Sequence, residues 1–166
     1  TLEIDPATGK AKYPGKTYTR DDGLLVDQYF GTRIAGGKAN SGEGPFVVYD
    51  EKTDYFYLYM SYNFLDSVSG YNMRLFRSKN PDGPFVDAAG NNANMFVSSD
   101  KSHEDVGIKV MGTYKFSCLD KYYKSEGHNS AMIDDDGQMY LIYHTRFSDS
   151  GEYHELRVHQ QFQNEE

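Results

Sequence analysis

The sequence predicts an all-β protein of four-stranded antiparallel blades, a partial β-propeller, and three observations carry that expectation. The stretch 55–62 has Tyr55, Tyr57 and Tyr59 at odd positions and Phe56, Leu58 and Met60 at even ones, so neither face is left for water. Such a strand must be covered on both sides. The meander around it recurs: Leu58 and Leu141, like Arg74 and Arg157, lie 83 residues apart, and Glu43 and His128 lie 85 apart. Clear turn clusters punctuate both copies. A blade packed between neighbours around a channel demands such strands, and closure takes about 4 to 8 blades. Two meanders and one orphan strand fall short of that, so the propeller is expected to be incomplete.

In chain order, Thr1-Leu2-Glu3-Ile4 alternates and stops at the turn cluster Asp5-Pro6-Ala7-Thr8-Gly9, as the tail of a strand with partners upstream. Residues 10–40 carry Gly15, Gly23, Gly31, Gly36 and Gly37 with little periodicity and read as a long surface loop, with a short strand at Arg33-Ile34-Ala35. Gly36-Gly37 would let backbone pass close to a neighbour. Strands follow at 46–50, 55–62 and 71–78, and the turn at 79–84 leads to Phe85-Val86-Asp87 as a short outer fourth strand. Residues 88–127 form a long polar excursion, broken by Phe96-Val97 and by Ile108 to Phe116. The meander then returns at His128 to Ile133, Met139 to Phe147 and His154 to Phe162. The segments Asp50 to Asp54 and Asp134-Asp135-Asp136-Gly137 are its hairpin turns; the second lacks the spacing and distal Glu of a helix-loop-helix calcium site.

A chain of 166 residues suits one domain, large enough to bury roughly 70% of its unfolded surface. Its formal charge of -8 argues against nucleic acid and anionic membranes as partners, leaving neutral or cationic ones. No charged-then-apolar leader and no apolar run near 18 residues is present, and a secreted or periplasmic location is expected, with any export signal outside these residues. Cys118 alone excludes an internal disulfide, and with no paired base it is no nucleophile. Fifteen Tyr and ten Phe suit half-buried pleated surfaces first, and stacking on sugars second.

The tetrapeptide Gly42-Glu43-Gly44-Pro45 sets one carboxylate between two glycines at the head of a strand, and His128 heads the matching strand of the second copy. Taken alone, the first is an ordinary loop acid and the second a satisfied polar residue. Around them, four stretches resemble the family 43 glycoside hydrolases, specifically the endo-acting α-1,5-L-arabinanases. These are Glu43 to Tyr49; Ser61-Tyr62 with Gly70 to Ser78 and Gly83-Pro84-Phe85; Gly127-His128-Asn129-Ser130; and His144 to Phe147 with His154 to Gln160.

That resemblance implies a five-bladed propeller of which residues 1–166 form a single incomplete catalytic domain. Residues 1–40 would be the end of blade 3 and a loop, 41–90 blade 4, 91–127 a long loop and 128–166 blade 5. It implies that Glu43 is the general acid and that His128 helps hold a largely water-coordinated calcium. The family's two catalytic aspartates lie on earlier blades, to which no residue here corresponds. Inverting hydrolysis needs two carboxyl groups about 6.5 to 9.5 Å apart. The implied activity is therefore inverting hydrolysis of internal α-1,5-L-arabinofuranosyl linkages by a parent enzyme, with this chain alone inactive or very weak. An exo-acting arabinofuranosidase or β-xylosidase, and a non-catalytic carbohydrate-binding or structural half-propeller, are the alternatives. Tyr62 and Asn63 are candidate sugar contacts at a strand end, and Arg146 could reach the channel; Arg74, Arg77, His144, His154 and His159 are expected to hydrogen-bond between blades. The expected partners are arabinan or an arabino-oligosaccharide, and a second copy or a fragment with the missing blades on an exposed aromatic flank of blade 4.

Overall fold

The computed structural model describes residues 1–12, 18–19, 25–26, 31–36, 42–65, 70–95, 106–149 and 151–163. Among these, all regular structure is antiparallel strand. The strands are β1 (Tyr18–Thr19), β2 (Leu25–Val26), β3 (Glu43–Asp50), β4 (Tyr55–Tyr62), β5 (Asn72–Ser78), β6 (Ile108–Gly112), β7 (Tyr123–Ile133), β8 (Met139–Phe147) and β9 (Glu155–Gln161). They form a two-stranded ribbon β1-β2, a four-stranded sheet β3-β4-β5-β6 and a three-stranded sheet β7-β8-β9.

The internal repeat is written into the pairing. Leu58 faces Phe76 and Leu141 faces His159; Tyr62 faces Asn72 and Thr145 faces Glu155. Every partner of the β4–β5 ladder reappears 83 residues later in the β8–β9 ladder. The two hairpin turns match as well. Asp50 Oδ1 accepts from Lys52 N at 3.1 Å, and Asp134 Oδ1 accepts from Asp136 N at 3.1 Å and Gln138 N at 2.8 Å. These are side-chain turns that give the backbone a local alternative to the ladder.

Strand β4 is covered on both faces, as its composition requires. Leu58, Met60 and Tyr62 pack with Phe76, Phe85, Ala93 and Val106, beneath the segment that leaves β5. On the other face Tyr57, Tyr59 and Met73 meet Ala131, Met139, Leu141 and Tyr143 of the second sheet. Each such fully buried apolar side chain contributes roughly 1.5–3 kcal/mol. The bland reading of the tyrosines holds for Tyr57, Tyr59, Tyr62, Tyr71 and Tyr143, all of which are buried.

Several expectations need correction. The fourth strand is β6, on the Ile108 to Phe116 segment that breaks the long excursion, and Val86 makes only isolated bridges to Arg77 and Asn92. The cause lies in Phe85, which turns fully into the core, and in Asp87, whose Oδ1 accepts from Ala89 N and Asn91 N while Oδ2 accepts from Gly107 N. The segment curls around one carboxylate instead of extending. Arg33-Ile34-Ala35 is no strand either: Ile34 and Ala35 pack on the core and Gly36 bridges Asn94. Ile4 bridges Ala11 across its own turn. The loop 10–40 contains the ribbon β1-β2, and the second meander begins at Tyr123, ahead of His128. Gly37 and Phe96-Val97 lie outside the described residues.

Exposed large apolar side chains occur on both sheets: Tyr49 on β3 and Ile108 on β6 of the first, Met132 on β7 and Leu156 and Val158 on β9 of the second, with Phe162 just beyond it. Of the arginines and histidines expected to hydrogen-bond between blades, Arg74, Arg77 and His159 have partners nearer by, whereas His144 stacks on Tyr71 of the other sheet. Arg74 donates to Asn72 Oδ1 at 2.9 Å and to Val106 O, Arg77 stacks over Tyr55, and His159 Nδ1 lies 3.1 Å from Tyr143 Oη.

Candidate active site

The head of β3 is shaped by a bulge. Glu43 pairs with Ser61, and regular pairing resumes only at Phe46 with Tyr59, leaving Gly44 and Pro45 opposite the single residue Met60. Gly44 takes φ +56°, which a residue without Cβ adopts cheaply. The Glu43 side chain emerges exposed. In the second sheet Gly127 pairs with His144, and pairing resumes at Ser130 with Ile142. Here His128, at φ +50°, holds the left-handed position.

By register, then, the counterpart of Glu43 is Gly127, and His128 matches Gly44. The sequence spacing between Glu43 and His128 is off by one, because the bulge hides which of two neighbouring residues pairs across the ladder. The two bulges face each other: a Cβ on Gly44 would stand 3.3 Å from His128 Nδ1.

Glu43 is held by Tyr71, whose phenol donates to Glu43 Oε1. Tyr71 is only 2% exposed, and burial first, then the bond to Glu43, push its phenol up to about 12. It is a neutral donor throughout the physiological range. Ser61, fully buried beside the same phenol, accepts from His128 N at 2.7 Å, so the backbone of the second sheet is tied to the first next to the Tyr71–Glu43 pair.

The second sheet supplies cations and imidazoles. His144 lies parallel to Tyr71, ring centroids 6.0 Å apart, and 4.6 Å from the ring of His154. Burial, then the charges of His154, His128 and Arg146, lower His144 to about 4, with Glu43 pulling the other way. It is a neutral imidazole at pH 7. Arg146 donates to Ser125 Oγ at 2.9 Å and to Glu152 Oε2 at 3.2 Å, and Lys124 donates to Glu152 Oε1.

Of the residues singled out from sequence, Glu43, His128 and Arg146 come together at one end of the two sheets. Tyr62 does not: it is 1% exposed, under the Arg74 guanidinium 5.0 Å from its ring centre, and cannot stack on a sugar. Its side chain shares the face of Leu58 and Met60, the face covered from within. Asn63 is exposed, with φ +65°, and its Nδ2 donates to Gly70 O at 3.3 Å. Tyr71, Ser61 and Gly127 enter the sequence reading only as members of the resembling stretches, and His144 and His154 only as residues expected to hydrogen-bond between blades, none of them as site residues. The 83-residue shift would have linked them, since it carries Ser61 to His144 and Tyr71 to His154.

Calcium takes six to eight oxygen ligands. Among the described residues no group of three or more His, Cys, Asp or Glu stands together to hold a metal. His128 brings one nitrogen, and its neighbours His144, His154 and Arg146 are poor partners for a hard cation. Among the described residues, the protein atoms do not by themselves make a calcium site.

No family model matches the chain. Two curated relatives do, over 99% of its length: an extracellular endo-α-(1→5)-L-arabinanase 2 of Bacillus subtilis at 43% identity, and an extracellular endo-α-(1→5)-L-arabinanase of Thermotoga petrophila at 38%. The chain spans 34% of each. A crystal structure of a glycoside hydrolase family 43 protein from Bacillus licheniformis superposes with a TM-score of 0.79 at 41% identity, covering 99% of this chain and 36% of that one. The chain is thus a homologue of the family 43 endo-α-1,5-L-arabinanases over about a third of their length, and its antiparallel sheets match part of a family 43 structure.

Proposed function

We propose that the chain is the acid-bearing part of a family 43 arabinan hydrolase. The observation that carries this is Glu43, exposed on a bulge and held through one oxygen by a buried neutral phenol, in a chain homologous to endo-arabinanases. The held oxygen fixes the carboxyl plane, and the other is left to carry a proton to the departing glycosidic oxygen. A second carboxylate, from blades outside this chain, activates water on the opposite face of the sugar, giving inversion. The two sheets are then blades 4 and 5 of a five-bladed propeller, preceded by the end of blade 3. The substrate is neutral α-1,5-linked arabinan, cut internally, and the protein works outside the cytoplasm, secreted or periplasmic, as do its extracellular relatives.

The chain alone lacks the base, which removes a factor of about 10² to 10⁴, and little or no hydrolysis is expected of it. Calcium, in this reading, is held mostly by water with His128 as a minor ligand, and no step is assigned to it. Exposed Met132, Leu156, Val158 and Phe162 suit association with a second copy or with the missing blades.

The test is to substitute residues 1–166 for the matching third of the Bacillus subtilis relative and assay linear arabinan. Arabino-oligosaccharides as first products support the reading. Arabinose alone would mean exo action, and a folded but inert chimera would mean a binding or structural role.

A further inference from the structure

We propose that Tyr71 is the positioning residue of Glu43, an inference that rests on reading Glu43 as the general acid. Tyr71 sits just before β5 in the first sheet, yet its place is set by the second. A Cβ on Gly127 would lie 1.9 Å from Tyr71 Cε1 and 2.3 Å from its Cδ1, so the ring occupies the space that a side chain at Gly127 would need. Gly127 is the register counterpart of Glu43. One sheet presents the acid at this position; the other leaves it bare, and the tyrosine of the first fills the gap.

Two hydrogen bonds tie the site together: His128 N–H donates to Ser61 Oγ beside the phenol, and the phenol donates to Glu43 Oε1. His144, neutral and parallel to the ring, closes its other side without competing for the phenolic proton. An exposed carboxylate on a glycine bulge would otherwise sample several rotamers. Tied through Oε1, it presents Oε2 in one direction. The acid is therefore competent only when both sheets are assembled, because its orientation depends on Ser61 and Tyr71 from one and on His128 N–H and Gly127 from the other.

The contact is tested first in the 166-residue chain, without any activity. The Tyr71 hydroxyl proton should resonate well downfield of an ordinary tyrosine, and the surface change Glu43→Gln should move it upfield. A resonance indifferent to Glu43→Gln overturns the proposal. The role is tested in the active chimera. Tyr71→Phe keeps the ring and should lower kcat on linear arabinan by about 10- to 100-fold with KM nearly unchanged, the scale of a misplaced catalytic group. On an arabino-oligosaccharide bearing a 2,4-dinitrophenyl leaving group, which departs without a proton, the loss should vanish. Equal losses on both substrates, or a change confined to KM, would reduce Tyr71 to a structural residue. Full activity in Glu43→Gln on linear arabinan would instead remove the acid reading and leave the contact standing.

Discussion

The two sheets share one backbone and differ in what it presents. At three matched positions the first carries Glu43, Ser61 and Tyr71, and the second carries Gly127, His144 and His154. The left-handed bulge position is Gly44 in one and His128 in the other. The bulge is thus a property of the meander, and the chemistry is a choice made on top of it. One copy shows a carboxylate; the other omits the side chain, with His128 and His144 beside the gap that Tyr71 fills. Coverage differs too: β4, inside the first sheet, is enclosed on both faces, whereas β9 of the second leaves Leu156 and Val158 exposed.

The largest expected effect breaks the comparison at its acid. In the active chimera Glu43→Gln should cost about 10²- to 10⁴-fold in kcat on linear arabinan while leaving the far-ultraviolet spectrum unchanged, since the side chain is exposed. Next comes the bare counterpart. Gly127→Ala drives a methyl into the Tyr71 ring, and overpacking of this kind should cost roughly 1–3 kcal/mol in denaturant unfolding. Gly44→Ala tests the bulge itself: the left-handed φ should cost about 1–2 kcal/mol, and His128→Gly should recover part of the same strain in the second sheet.

The smallest effects are in pH dependence, where two groups of the second sheet oppose each other. Burial pushes Glu126 up to about 7 and lowers His144 to about 4. Between pH 4.5 and 7 the folded chain keeps a proton on Glu126 that the unfolded chain releases, so this group favours the fold at the acid end and its contribution fades as pH rises. Between pH 4 and 6.5 the unfolded chain gains a proton on His144 that the folded chain refuses, so this group weakens the fold as pH falls. The two slopes largely cancel in the wild-type chain, so unfolding midpoints should rise with pH between about 4 and 6.5 in Glu126→Gln, where only His144 acts, and fall between about 4.5 and 7 in His144→Gln, where only Glu126 acts. A slope unchanged in either variant would show that the group titrates normally.

Much of the scaffold was legible in the sequence. Period-two aromatic and apolar alternation fixed β4, Asp-led turns fixed the hairpins, and a constant 83-residue spacing anticipated the identical ladders. The failures have local causes. Phe85-Val86-Asp87 has strand composition, but the Asp87 carboxylate captures the amides that a ladder would use. His128 looked like the partner of Glu43 because a bulge shifts pairing by one residue without altering composition. Tyr62 and Tyr71 are indistinguishable as tyrosines at strand ends. What separates them is the face each occupies, and only the second lies toward the facing bulge.

The claim that Glu43 is the proton donor is tested most directly by leaving-group dependence. The quantity is the ratio of kcat/KM on a 2,4-dinitrophenyl arabino-oligosaccharide to that on linear arabinan, compared between the chimera and its Glu43→Ala variant. A lost general acid should raise that ratio by about 10²-fold or more, because only the unactivated linkage needs the proton. A ratio unchanged by the substitution would contradict the account.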